Sequence, residues 1–269
     1  MKIYTVLVLA ICISCNSNSN EKKISEGTLS DSVYTKENQI IAKINQFPDS
    51  ALVKEELIEF YREAGQYDKA LRETQKYLDK DNNARWWKIK ATLCYEKGDV
   101  PQSIEAFEKA IALYPAINDI INLGIIYAET SNAKALKTAD FIESQDKSFV
   151  KDAWYIRGLY QTYNNNKVEA VKMFDKAIGI NHTYMDAYRE KAIALYDLKK
   201  YKEAAENLIH ATKLKNNFEE GYYYLGKCYE ALNQPMLAKD AYLKALLYAP
   251  DYEDAQEALN KLNDTQQVK

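Results

Sequence analysis

Along most of the chain, apolar positions recur at intervals of three and four residues, the spacing that gathers them on one side of an α-helix. The stretches are short and broken by turn residues at Gly65, Gly98, Asn164-Asn165-Asn166 and Lys199-Lys200, so the pattern predicts paired helices. Those pairs are themselves periodic. Trp87, Trp154, Tyr188 and Tyr222 are separated by 67, 34 and 34 residues. Small residues follow four positions later, at Ala91, Gly158, Ala192 and Gly226. A second small set stands at Ser103, Ala170, Ala204 and Ala238. Bulk follows at Phe107, Phe174, Leu208 and Tyr242, and alanine again at Ala110, Ala177, Ala211 and Ala245. Small side chains let two helices approach, and the large ones fill the space beside them.

This alternation resembles the tetratricopeptide repeat, whose unit is a 34-residue helix–turn–helix. The resemblance covers about 51–252 and implies an all-α fold, an α-solenoid of about six repeats with N- and C-terminal capping helices. The units are 51–83, 84–116, 117–150, 151–184, 185–218 and 219–252, within an array spanning 49–263. Pro115 and Pro250 close two of them. Pro101 and Pro235 enter second helices in their first turn, where a missing N–H is tolerated. Two units depart from the pattern. In the first, Ile58 takes a small position and Thr74 and Tyr77 alter the second helix. In the third, Ala135 arrives one residue early and Ala139 stands where a large residue is usual.

Solenoids need ends that shield the last apolar face. Residues 34–48 supply a front helix with Ile40, Ile41 and Ile44. Residues 251–263 supply a rear one with Ala255, Ala258, Leu259 and Leu262, and 264–269 form a tail.

The first fifteen residues read as an address. Met1-Lys2 precedes an apolar stretch, Ile3 to Ser14, too short for the roughly 20 residues that cross a bilayer. A basic start, short apolar core and small residue before Cys15 describe an export signal over 1–14. Cys12-Ile13-Ser14-Cys15 resembles a relaxed bacterial lipobox, departing from it at Cys12 and Ile13. The resemblance implies lipidation of Cys15; an ordinary signal-peptidase cut after Ser14 is the alternative. Residues 15–33, rich in Ser, Asn, Glu and Lys, then form a flexible tether. Asn16 is not the aspartate that retains such lipoproteins at the inner membrane. The implied address is therefore the outer membrane facing the periplasm, with surface display as the variant.

Composition narrows the chemistry. Eight glycines and five prolines argue against a sandwich, a barrel or a glycine-dependent nucleotide fold. A net charge of −3 leaves no basic footprint for nucleic acid. Only two histidines are present, His182 at a turn and His210 on the outward side of a second helix. No glycine-rich phosphate loop, His-Glu-x-x-His or interior Cys-x-x-Cys occurs. Cys94 and Cys228 read as small core residues. The expectation is a protein that is not an enzyme and takes no cofactor, metal or small-molecule substrate. Trp86, beside the repeat aromatic Trp87, is a spare ring that either covers the neighbouring repeat or stays exposed.

In tetratricopeptide repeats the concave groove is lined by first-helix residues at the second, fifth, ninth and twelfth positions. Carried over residue by residue, this implies Arg85, Lys88 and Tyr95, with Asn118 in the third repeat; Asn122, one place beyond the fifth position, joins them as a match to the clamp of chaperone-tail binders. It further implies Tyr155 and Leu159, Arg189 and Tyr196, and Tyr223 and Lys227, with Asp152, Asp186, Glu220 and Glu230 among them. Tyrosine and arginine make interface hot spots, so an extended peptide or a partner helix suits this mixture. The carboxylate clamp of chaperone-tail binders is not reproduced. Lys88 and Asn122 match it, but Asp152 and Ile156 stand where Lys and Arg are needed. The functional expectation is an envelope scaffold or adaptor binding proteins or peptides in its groove, anchored to the membrane by lipid. The alternative is a permanent structural subunit of an envelope assembly.

Overall fold

The computed structural model describes residues 26–267. The signal segment 1–14, Cys15 and the tether as far as residue 25 lie outside the described residues. Within them every regular element is helical: fourteen α-helices, one 3-10 turn and no strand. The all-α expectation holds.

The chain forms two compact units, divided between Ala64 and Gly65, inside the stretch 51–83 assigned to the first repeat. The first unit contains α1 (Glu26–Gln46) and α2 (Ala51–Glu63). Helix α1 starts within the stretch expected to be tether. Residues 26–33 contain no proline and run straight into the amphipathic turn around Ile40, so they extend an existing helix without a new nucleus. Ile40 is buried, Lys43 pairs with Glu56 at 2.8 Å, and the Tyr61 hydroxyl donates to Glu37. Ser50 caps α2 by accepting from the Val53 N–H.

The second unit holds α3 (Tyr67–Leu78), α4 (Ala84–Lys97), α5 (Val100–Leu113), α6 (Ile117–Glu129) and α7 (Lys134–Gln145). A 3-10 turn at Lys147–Phe149 leads to α8 (Val150–Tyr163), α9 (Lys167–Ile180), α10 (Met185–Asp197), α11 (Tyr201–Leu214), α12 (Glu219–Ala231), α13 (Pro235–Tyr248) and α14 (Glu253–Gln267). Each packs on the next, and α6, α8, α10 and α12 also touch one another in succession. This is the helix packing of a tetratricopeptide solenoid.

The backbone carries the period independently of the side chains. Left-handed residues occur at Gly65, Gly98, Ser131, Asn165, Lys199 and Asn233, one per repeat at steps of 33 or 34. Four are not glycine, which is why glycine spacing alone did not disclose the period. Inside each pair the small–large rule is steric. A Cβ on Gly226 would stand 2.5 Å from Tyr242 Cε1.

The irregular third repeat is completed from outside. Its small Gly124 faces no aromatic from its own second helix; instead Ile156 of α8 reaches in, 2.8 Å from where a Cβ would be. Ala135, Ala139 and Ile142 of α7 are fully buried. The large side chain is thus imported from the fourth repeat.

A recurring cover protects the first aromatic of each pair. The Lys109 ammonium lies 4.4 Å from the Trp87 ring centroid, Lys176 3.9 Å from Trp154, and Lys244 5.6 Å from Tyr222. His210 takes the equivalent place, 5.8 Å from the Tyr188 centroid. The spare ring of Trp86 is buried and packs 4.9 Å from Tyr77 of α3. It covers the neighbouring helix.

Candidate protein-docking site

The first helices α4, α6, α8, α10 and α12 carry the residues expected in the groove, and the structure sorts them into three groups. At the front, Arg85 and Asn118 are exposed, while Asn122 is half-buried. Lys88 is exposed and pairs with buried Asp119 at 2.9 Å. The half-buried Tyr95 donates its hydroxyl to Glu129 at 2.6 Å, bridging α4 and α6. Burial raises the Glu129 carboxyl, and the Tyr95 hydrogen bond only partly opposes this.

In the middle the expectation fails for two residues. Tyr155 is 6% exposed and Leu159 is 3% exposed, so neither lines an open surface. The Tyr155 ring packs against Tyr184 and Phe174, with centroids 5.2 and 5.9 Å away. Tyr184 donates to Asp152 at 3.0 Å, and Lys151 pairs with the same carboxylate at 2.7 Å. The physical reason lies on the side facing the next repeat: Phe174 of α9 and Tyr184, just ahead of α10, close over the Tyr155 ring. Ile156 of the same helix is fully buried.

Arg189, also expected in the groove, has a side chain 12% exposed and is committed to three carboxylates. It meets Asp186 at 3.1 Å, Glu190 at 3.2 Å and Glu220 at 2.7 Å. Burial pushes the Glu190 carboxyl up, and its Arg189 neighbour acts the other way. This part of the concave face is filled by the protein's own charges.

At the C-terminal end the face opens. Tyr196 of α10, Tyr223, Lys227 and Glu230 of α12, Tyr242 of α13, and Asp254, Glu257, Ala258 and Lys261 of α14 line a cleft of about 350 Å³. Three expected groove residues meet here: Tyr196, Tyr223 and Lys227. The Lys227 ammonium stands 5.4 Å from the Tyr196 centroid, 5.7 Å from Tyr223 and 5.8 Å from Tyr224. It has ring neighbours and no ion pair among the described residues. Tyr242 donates to Glu230 at 2.6 Å, which orients the carboxylate toward the cleft wall. Burial lifts the Tyr223 phenol to about 12, so the wall keeps neutral hydroxyls throughout the physiological range. The contribution of α13 and α14 was not visible in the sequence. Tyr242 read as a core filler, and residues 251–263 as a cap.

A second hollow of about 550 Å³ lies at the turns, lined by Asn165, Asn166, Lys167, Val168, Asp197 and Leu198. Lys167 there is paired with Asp197, and no aromatic wall stands behind it. Among the described residues no three His, Cys, Asp or Glu side chains are placed to hold a metal. No described helix is long and apolar enough to cross a membrane.

Tetratricopeptide-repeat family models match residues 56–116 and 220–252, so such repeats are present in the chain. Among solved structures, the chain is similar to a tetratricopeptide repeat protein from Parabacteroides merdae ATCC 43184. Identity is 18% and TM-score 0.67, over 87% of this chain and 93% of that one. It is similar to PilW, a widely conserved type IV pilus biogenesis factor, at 16% identity and TM-score 0.58, over 77% and 97%. It is also similar to a chain of the Cut9–Hcn1 APC/C hetero-tetramer, at 17% identity and TM-score 0.54, over 88% and 46%. At these identities the likeness is one of fold. No curated protein matches by sequence. Proteins with this fold bind other proteins or peptides, and the fold is typically non-catalytic.

Proposed function

We propose that this protein is an interaction scaffold of the bacterial cell envelope, held to the membrane by a lipid on Cys15. It grips a peptide or partner helix at the C-terminal end of its concave face. The observation that carries the groove reading is the convergence of Tyr196, Tyr223 and Lys227 on one open cleft. Rigid aromatic walls supply contact area at low entropic cost, and an ammonium without a carboxylate partner is available to an incoming acceptor. A volume of about 350 Å³ suits one or two anchoring side chains. The envelope address is supported by the Cys12–Cys15 sequence pattern.

The test is crosslinking capture from native envelopes with the wild type and with Tyr196→Ala/Lys227→Glu. We expect the partner to be lost from the variant while the helical signal is unchanged. Full retention would favour a permanent structural subunit with no groove ligand, the reading suggested by the self-occupied charges around Arg189. Cys15→Ser tests the address: the variant should leave the membrane fraction, and pelleting at high salt would count against lipidation.

A further inference from the structure

Helix α13 carries more exposed apolar bulk than its equivalents in the earlier repeats on the side turned away from the core. Its Tyr248 continues a row of exposed apolar residues, Leu113, Ile180 and Leu214, at the same place in the second, fourth and fifth repeats. Met236 is 67% exposed, Leu237 45%, Leu243 47%, Leu247 71% and Tyr248 43%. At two of these positions the repeats act as internal controls. Where α13 has Leu237, the second, fourth and fifth repeats have Gln102, Glu169 and Glu203. Where it has Leu247, they have Ala112, Gly179 and Lys213. At about 100° per residue, the five apolar side chains fall within an arc of about 140°. The opposite side of α13 is already used, since Ala238, Ala241, Tyr242 and Ala245 are buried. A helix apolar on both sides is one that is covered on both sides.

Two charges interrupt the exposed stripe, Asp240 and Lys244. Neither forms an ion pair within the described chain; Lys244 lies over Tyr222 and Asp240 meets no cation. Their arrangement decides what covers the face. An aspartate at the middle of the stripe opposes insertion into a lipid surface, where a carboxylate would be desolvated without a partner. An antiparallel second copy about a two-fold axis at the level of Tyr242 satisfies it. That pairing sets Asp240 against the partner's Lys244, twice by symmetry. It also sets Leu237 against the partner's Leu247 and Met236 against the partner's Tyr248. Leu214, exposed at the position equivalent to Tyr248 one repeat earlier, widens the apolar area beside it.

We propose that the outer side of α13 is a self-association surface, and that a second copy of this chain docks on it antiparallel, α13 against α13. The contact is isologous and closed, so it yields dimers and not filaments. It leaves the cleft of Tyr196, Tyr223 and Lys227 on the other side of the repeat and does not depend on that cleft's ligand.

The test is the mass of the full chain in solution by sedimentation equilibrium and light scattering, with Cys15→Ser so that no lipid contributes. The wild-type surface should give a dimer, and Leu243→Glu/Leu247→Glu a monomer with the same circular dichroism. Asp240→Lys, which sets lysine against lysine at both ends of the contact, should weaken dimerisation tenfold or more. Adding Lys244→Asp to Asp240→Lys should restore it, because the exchange rebuilds both pairs with opposite sign. A wild type that stays monomeric, including one that binds vesicles or another protein through these leucines, overturns the proposal. So does a dimer indifferent to Asp240→Lys, or one that the double exchange fails to restore.

Discussion

Gly158 lies so close under Phe174 that a Cβ added to it would stand 2.4 Å from the ring's Cε1 and 2.6 Å from its Cδ1. The contact is the small–large rule of the repeat expressed as a distance. Gly179, in the last turn of α9, has nothing within 4 Å of the same position. Two glycine-to-alanine substitutions should therefore move stability in opposite directions. Gly158→Ala must displace a packed ring and should cost about 1–3 kcal/mol. Gly179→Ala removes backbone freedom from the unfolded chain at no steric cost and should add about 0.5–1 kcal/mol. Thermal melts read both, and shifts of the same sign would mean the repeat phase is wrong.

The third repeat makes a different demand. Ile156 belongs by sequence to the fourth repeat but fills the space over Gly124 that Phe174 fills over Gly158 and Tyr242 over Gly226. Ile156→Ala should cost about 2–5 kcal/mol, as fully buried truncations do. The loss should fall on two repeats at once. Hydrogen exchange should show α6 and α7 losing protection together with α8. Loss confined to α8 would leave the third repeat without an account of its packing.

What the sequence disclosed follows from how each feature is encoded. The period was legible because Gly158 and Phe174, or Gly226 and Tyr242, sit sixteen residues apart within one helix pair, so a single unit carries both partners. The burial of Tyr155 was not legible, because it comes from Tyr184 at the entry to α10, and neither was the crossing of Ile156 to another repeat. Only Ala139, in a slot usually large, hinted that something had to fill the gap. Arg189 was placed on the right helix face, but its three carboxylates come from α10 and α12, and Glu190 is not a family groove position. The cleft was half visible. Tyr196, Tyr223 and Lys227 were found from their repeat positions, whereas Asp254, Glu257 and Lys261 join through the packing of α14.

The two interior thiols should be silent. Cys94 and Cys228 are buried and unpaired, and burial raises both thiols, Cys228 to about 12. A thiol reagent needs thiolate and access, and the folded protein offers neither. Peptide mapping after alkylation at neutral pH should find both unmodified in the native chain and both modified in denaturant. Rapid native labelling of Cys228 would show that α12 opens far more readily than its packing implies.

Acid titration should expose the filled middle of the concave face. Burial raises the carboxyls of Glu129 and Glu190 above their ordinary value of 4.5. Below that value the glutamate is protonated in both the folded and the unfolded chain, and neither group contributes a slope. Between it and the raised folded value, the folded state still holds a proton that the unfolded state has released. Stability must then fall as pH rises through this window, and the deficit stays constant above it. Glu129→Gln and Glu190→Gln each remove one such step. The stability of each variant relative to wild type should therefore climb as pH is raised from the ordinary carboxylate value toward neutrality. Glu108 provides the opposite sign, because Lys134 and the Tyr127 hydroxyl lower its carboxyl. Glu108→Gln should lose ground to wild type as pH rises through the acid range. Urea denaturation at a series of pH values separates the three variants. Parallel curves for Glu129→Gln, Glu190→Gln and wild type would mean that those carboxylates are solvated, and that the middle of the groove is open after all.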